Sequence, residues 1–168
     1  MGIKAHRSQA PKSLRLAVLT VSSTRRLADD KSGHWIKKRA QRRQRVIFHN
    51  VVSDNKEVIE YTIRAIIQEH NPHAIIVTGG TGVSPRDVTI EAIQPLFTKE
   101  LTAFGPLFAQ LSFERIESAA ILSRATAGIV EQTVVFCIPG SLDACKLAWK
   151  ELISPELGHL ARHVQEVP

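Results

Sequence analysis

At 168 residues, with 43% hydrophobic and 23% charged side chains, the chain has the composition of one ordinary globular domain with room for a substantial core. No apolar run approaches the roughly 20 residues that span a bilayer, and Met1 to Lys12 is polar and basic rather than signal-like, so the cytoplasm is the expected compartment. The net charge of +6 is local: nine basic residues fall between Arg25 and Arg45 against Asp29 and Asp30, and the rest of the chain holds 13 basic and 14 acidic side chains.

Residues 1–13 read as a flexible tail and 14–168 as a single domain. Leu14 to Val21 (LRLAVLTV) has the β-branched, apolar make-up of a buried strand, and the polar Ser22 to Lys31 reads as a loop. A helix is expected over about Ser32 to Gln44, with Trp35, Ile36 and Ala40 as a narrow apolar stripe. Val46 to Val52 reads as a second strand. Asp54-Asn55-Lys56-Glu57 resembles a capping box, and Val58, Ile59, Thr62, Ile63, Ile66 and Ile67 follow at helical spacing until Asn71-Pro72.

Ala74-Ile75-Ile76-Val77 is a third strand that empties into Thr78-Gly79-Gly80-Thr81-Gly82-Val83-Ser84-Pro85-Arg86-Asp87. Three glycines in four positions let a ligand reach the backbone, whose N–H groups suit anionic oxygens. A tight strand-to-helix connection without a ligand accounts equally for these residues. Asp87 stands where an N-cap would open a helix over Val88 to Leu96. Leu101, Phe104, Leu107, Phe108 and Leu111 have helical spacing, interrupted at Gly105-Pro106. Ala119 to Val130 is expected to turn back as a strand, with Glu131-Gln132 as the hairpin connection to Thr133 to Ile138. Pro139-Gly140-Ser141 is a second small-residue loop, followed by helices over Ala144 to Ile153 and Pro155 to Val164. Alternating strands and helices predict an open, mainly parallel sheet covered by helices, with ligands outside the carboxyl ends of the strands.

Several chemistries are excluded by their motifs. The glycine loop lacks the Lys-Ser/Thr of a P-loop and is not G-x-G-x-x-G, and no G-x-S-x-G elbow occurs. Cys137 and Cys145 lack a second pair for zinc and read as buried thiols. His159 and His163, four apart, suit a metal less well than an ordinary helix surface. Asp54 and Asp87, at strand ends, have the oxygen chemistry that suits magnesium beside phosphates, but taken alone each is better read as a helix N-cap. Arg86 and Arg124 read as phosphate partners or as surface residues.

Thr78 through Ala92 (TGGTGVSPRDVTIEA) closely resembles the signature of the MoaB/MogA family, the molybdopterin adenylyltransferases. The likeness extends to Leu19-Thr20-Val21-Ser22, Asp29-Asp30-Lys31-Ser32-Gly33, Val52-Ser53-Asp54, Ser118 to Ala125 and Ile138-Pro139-Gly140-Ser141, with the MoaB branch nearest in detail. The resemblance implies a three-layer α/β/α fold, a homotrimer or a hexamer built as a dimer of trimers, and magnesium- and ATP-dependent adenylylation of molybdopterin with release of pyrophosphate. Carried over by position, Asp54 and Asp87 become the catalytic or magnesium-linked acids. Thr78, Gly79, Gly80, Thr81 and Gly82 become the phosphate and pterin cradle. Ser123, Arg124, Pro139, Gly140 and Ser141 line the rest of the pocket, and Glu91 braces the loop.

The chain departs from that pattern at Ala109, where an arginine is common, at Glu117, where a glycine is usual, and at Ser53, where proline is frequent. A catalytically silent molybdopterin-binding or carrier protein is therefore the alternative. Nucleic-acid binding through Arg25 to Arg45 is disfavoured, since only Trp35 is interleaved there to stack bases. Attraction of anionic substrates by that stretch is the milder reading.

Overall fold

In the computed structural model, which describes residues 13–166, the apolar run after Leu14 forms β1 (Arg15–Val21), buried at every position beyond Arg15. Such continuous burial marks a central strand covered on both faces. β1 pairs in parallel with β2 (Arg45–Val52) on one side and β3 (Ala74–Thr78) on the other, and β3 pairs in parallel with β6 (Thr133–Ile138). β5 (Thr126–Val130) runs antiparallel to β6, and the two-residue β4 (Lys99–Glu100) runs antiparallel to β5. The sheet order is β2-β1-β3-β6-β5-β4.

Alternation along the strands splits the core in two. Leu16, Val18, Ala74, Ile76, Val134, Phe136 and Ile138 face one apolar layer. Ala17, Leu19, Val21, Ile75, Val77, Val135 and Cys137 face the other. The first layer is closed by Ile36 and Ala40 of α1 (Lys31–Ala40), Phe104 and Phe108 of α4 (Phe104–Ile116), and the C-terminal helical arm. The second is closed by Ile59, Ile63, Ile66 and Ile67 of α2 (Lys56–His70) and by Ile90 and Ile93 of α3 (Thr89–Ile93). The result is the expected three-layer α/β/α architecture with a mainly parallel sheet. Cys137 and Cys145 are free and buried, and burial pushes the Cys145 thiol up to about 11. Among the described residues no helix is long and apolar enough to cross a membrane. The expected tail, apart from Ser13, lies outside the described residues.

Several boundaries differ from the sequence pattern for local reasons. Asn55, not Asp54, caps α2, its side chain accepting from the Val58 N–H at 2.9 Å. α1 stops at Ala40, short of Gln44. α3 gives way at Ile93 to a tighter turn, Gln94–Leu96, where Pro95 has no N–H to continue the ladder. Gly105-Pro106 does not interrupt a helix but opens one: both lie in the first turn of α4, where a missing N–H costs nothing. Only Thr126–Val130 of the expected long strand pairs, because Glu117–Leu122 winds as a 3₁₀ turn. The two C-terminal helices are one arm, α5 (Leu142–Leu147) and α6 (Ser154–Gln165), joined by a π-widened stretch, Ala148–Ile153. That widening lies just before Pro155, whose ring would clash with the carbonyl four residues back in a regular turn.

Candidate functional site

A cleft of about 450 Å³ opens at the carboxyl ends of β1, β2, β3 and β6. β1 has β2 on one side and β3 on the other, so the strand order reverses beside it, which is where an open α/β sheet leaves its binding crevice. Val21 to Arg25 after β1, Asp54 after β2, Gly79 to Gly82 after β3 and Pro139-Gly140 after β6 line it. Arg86, Asp87, Leu122 and Ser123 complete the wall.

The glycine loop is built by local constraint. Gly79 has φ +96° and Gly80 φ +65°, both in the left-handed region that side chains resist. A Cβ on Gly80 would stand 2.4 Å from Thr89 Oγ1, and one on Gly79 would stand 2.5 Å from the Val21 carbonyl. The loop is then tied from beneath: Thr89 Oγ1 donates to the Gly79 carbonyl at 2.8 Å, and the Thr89 N–H to the Gly80 carbonyl at 2.9 Å. Arg124 Nε donates to the Thr81 and Gly82 carbonyls at 2.9 and 3.0 Å. Its guanidinium also grips Glu91 through two bonds, Nη1 to Oε1 at 2.6 Å and Nη2 to Oε2 at 3.3 Å. That contact holds the Glu91 carboxyl below its usual range and raises Arg124 further.

The two acids are placed by different devices. Asp54 Oδ1 accepts from the Ser23 hydroxyl across the mouth between the β1 and β2 loops. Asp87 Oδ2 accepts from the Ser84 N–H at 2.9 Å, closing the loop on itself, while Val88 holds the cap position of α3 without a side-chain bond. Asp87 is therefore not an N-cap. Among the described residues, Asp54 Oδ2 and Asp87 Oδ1 carry no bond. Thr81 is 2% exposed, and its hydroxyl is a buried polar atom without a hydrogen-bond partner. A buried orphan of this kind costs about 1–3 kcal/mol unless something fills the gap.

Of the residues expected from sequence, Asp54, Asp87, Gly79, Gly80, Thr81, Gly82, Ser123, Pro139 and Gly140 meet in this one cleft. Thr78, Arg124 and Ser141 stand outside its lining. Thr78 is fully buried, and its hydroxyl donates to the Pro139 carbonyl at 3.1 Å. Arg124 is spent on Glu91 and the loop carbonyls. Ser141 caps α5, accepting from the Ala144 N–H at 3.2 Å. Ala109 and Glu117, where the sequence departs from pattern, do not line the cleft. The wall residues not singled out individually are Val21, Ser22, Ser23, Thr24, Arg25 and Leu122. The position of Ser22 to Asp30 after a strand marked that loop as a whole, but nothing in its spacing singled out Arg25, whose Nη1 reaches the Gly140 carbonyl at 3.3 Å.

Residues 17–159 match the family described as "Probable molybdopterin binding domain". The chain is 44% identical over 168 residues to the molybdenum cofactor biosynthesis protein B of Bacillus subtilis (strain 168), covering 99% of each. A crystal structure of a molybdenum cofactor biosynthesis protein B superposes with a TM-score of 0.89 at 40% identity, over 93% of this chain and 98% of that one. The tungsten cofactor synthesizing protein MoaB from Pyrococcus furiosus superposes with a TM-score of 0.84 at 37% identity, over 94% and 100%.

Proposed function

The chain belongs to the family of molybdopterin-binding domains of molybdenum cofactor biosynthesis, and from that premise we propose that its cleft adenylylates molybdopterin, with ATP as the second substrate. A non-bridging oxygen of the terminal phosphate of molybdopterin attacks the α-phosphorus of ATP. A new P–O bond forms, the bond from the α-phosphorus to the bridging oxygen breaks, and pyrophosphate leaves. No covalent intermediate on the protein is required, so catalysis reduces to placing two anions in line and neutralising their charge.

The residues suit that task. The Gly79 to Gly82 backbone comes close enough to hold phosphate oxygens. Arg25 and Arg86, both in the cleft lining, supply positive charge. Thr81, a residue of the cleft lining whose buried hydroxyl has no hydrogen-bond partner among the described residues, is the single observation that carries the reading: it supports a hydroxyl kept for a ligand. Asp54 and Asp87 form an all-oxygen donor pair that fits magnesium, and each has an oxygen to spare. When bound there, magnesium would neutralise negative charge on the phosphates. Ser23 orients Asp54 and Ser84 orients Asp87 for that purpose.

The exposed apolar side chains Leu107, Phe113, Ile116, Ile121 and Leu122 lie on α4 and the following turn, and Ile121 is 84% exposed. They support assembly into a homotrimer, or a hexamer as a dimer of trimers, with Leu122 at both the cleft and the patch.

The test is transfer of AMP from ATP to purified molybdopterin, read as pyrophosphate release. The wild type should turn over, and Asp54→Ala and Asp87→Ala should each fall about 1000-fold. Tight molybdopterin binding without pyrophosphate release would replace the enzyme with the silent carrier.

A further inference from the structure

A second cluster of ligating groups lies behind the cleft, at the start of α1. Asp30 is fully buried and caps α1: its Oδ1 accepts from the Gly33 N–H at 2.9 Å, and its Oδ2 from the Thr20 hydroxyl at 2.7 Å. His49, brought in from the edge strand β2, places Nε2 3.2 Å from the same Oδ2. His34, one turn into α1, donates from Nδ1 to the Asp30 carbonyl at 2.8 Å, so the neutral ring keeps its lone pair on Nε2. The two rings stand edge to face with centroids 4.9 Å apart.

We propose that Asp30, His34 and His49 bind a divalent transition metal of the zinc class. One ligand atom from each residue lies within 4.8 Å of the others. The 3.2 Å between Asp30 Oδ2 and His49 Nε2 matches the edge of a tetrahedron whose bonds are about 2.0–2.1 Å. Glycine at position 33 is what lets the ligating groups come together: a Cβ there would stand 2.0 Å from Asp30 Oδ2 and 2.8 Å from both His49 Nε2 and Thr20 Oγ1, so any side chain would displace them.

The donor set distinguishes this site from the cleft. Two imidazoles and one carboxylate select zinc, cobalt or nickel over magnesium, which prefers oxygen alone. Three protein ligands leave one position open, and His34 lies on the exposed side, so the ion exchanges with solvent. The supporting contacts are already in place: Thr20 and Gly33 orient the carboxylate, and the Asp30 carbonyl fixes the His34 tautomer. The bound metal would pin β2 to α1. Ser32, between two of the ligand-bearing turns, donates to the Gly140 carbonyl at 2.9 Å, so the pin also steadies one wall of the cleft.

The test uses the untagged full chain, stripped of metal, with excess magnesium present. It is titrated with Co²⁺, read by the visible ligand-field absorption, and then displaced with Zn²⁺. The wild type should take up one equivalent. His34→Gln and His49→Gln, checked for folding by circular dichroism, should each weaken uptake about 100-fold. The doubly substituted His159→Gln, His163→Gln protein should bind as the wild type does, although those two rings approach with their Nε2 atoms 2.9 Å apart. Absence of Co²⁺ uptake by the wild type would overturn the proposal, as would uptake that survives both single substitutions or that disappears with the His159/His163 pair. His34 is exposed, so its substitution keeps the test decisive even where His49→Gln does not fold.

Discussion

The two halves of the sheet are built to different ends. In the parallel half (β2, β1, β3 and β6) every strand stops at the same edge, and the loops that follow converge on one crevice. In the antiparallel half, β5 and the short β4 lie outside that crevice, and α4 with the following turn exposes Phe113, Ile116, Ile121 and Leu122 to solvent. The first half gathers polar atoms and leaves one of them, Thr81 Oγ1, unsatisfied. The second leaves apolar surface uncovered. On the function and assembly proposed above, each unmet requirement is filled by a different partner: a small anionic molecule in the cleft, and a second copy of the chain at the edge.

The largest effect that would break this division is at the edge. Phe113→Asp together with Ile121→Asp should convert the assembly to monomer in sedimentation experiments. An unchanged sedimentation coefficient would leave the patch without its partner. Thr81→Val probes the other requirement. Removing a hydroxyl that bonds nothing should leave the stability of the free protein unchanged or slightly higher, while molybdopterin affinity falls about tenfold, near 1.4 kcal/mol. A loss of stability without a loss of affinity would contradict the role given to Thr81.

Glu117 sharpens the contrast further. Its backbone sits at φ +51°, ψ −136°, a region that glycine occupies without strain. Glu117→Gly should therefore stabilise the chain by about 1 kcal/mol in urea denaturation, without changing AMP transfer. That position ends α4 on the antiparallel side, away from the cleft.

The smallest effect is on pH dependence at the other end of the parallel strands. Burial, and then the charge of Arg15, lower the pKa of His73, whose Nδ1 accepts the Arg15 N–H at 2.9 Å. The unfolded chain takes up this proton near pH 6.5, while the folded chain resists it until lower pH. The stability it contributes is complete above pH 6.5 and is lost as pH falls from there toward the folded value. His73→Gln should flatten the slope of urea midpoints between pH 7.5 and 5.5. An unaltered slope would assign the dependence elsewhere.

The parallel half was also the more legible from sequence. Its strands are buried on both faces and so read as uninterrupted apolar runs, and Ile59, Ile63, Ile66 and Ile67 show the period of α2 directly. The antiparallel half was not, because its elements are decided by packing rather than by pattern. β4 is two residues long, Gly105 and Pro106 open a helix that they were expected to interrupt, and residues 119–122, expected to be strand, wind within a 3₁₀ turn. Within the site, glycine spacing and strand ends marked the loops. Which side chains face the cleft depended on contacts made across 31 to 115 positions, such as Ser23 with Asp54 and Arg25 with Gly140. The Asp30, His34 and His49 cluster was invisible for the same reason: His49 is an unremarked polar residue in a strand until the sheet sets it beside α1.

Arg124 belongs to both halves. It stands at the start of the antiparallel region, one residue past the cleft residue Ser123 and two past exposed Leu122, yet its guanidinium holds the carbonyls of Thr81 and Gly82. One side chain thus ties the glycine loop after β3 to the segment that carries Leu122, so the floor of the cleft and the exposed apolar surface share a single anchor.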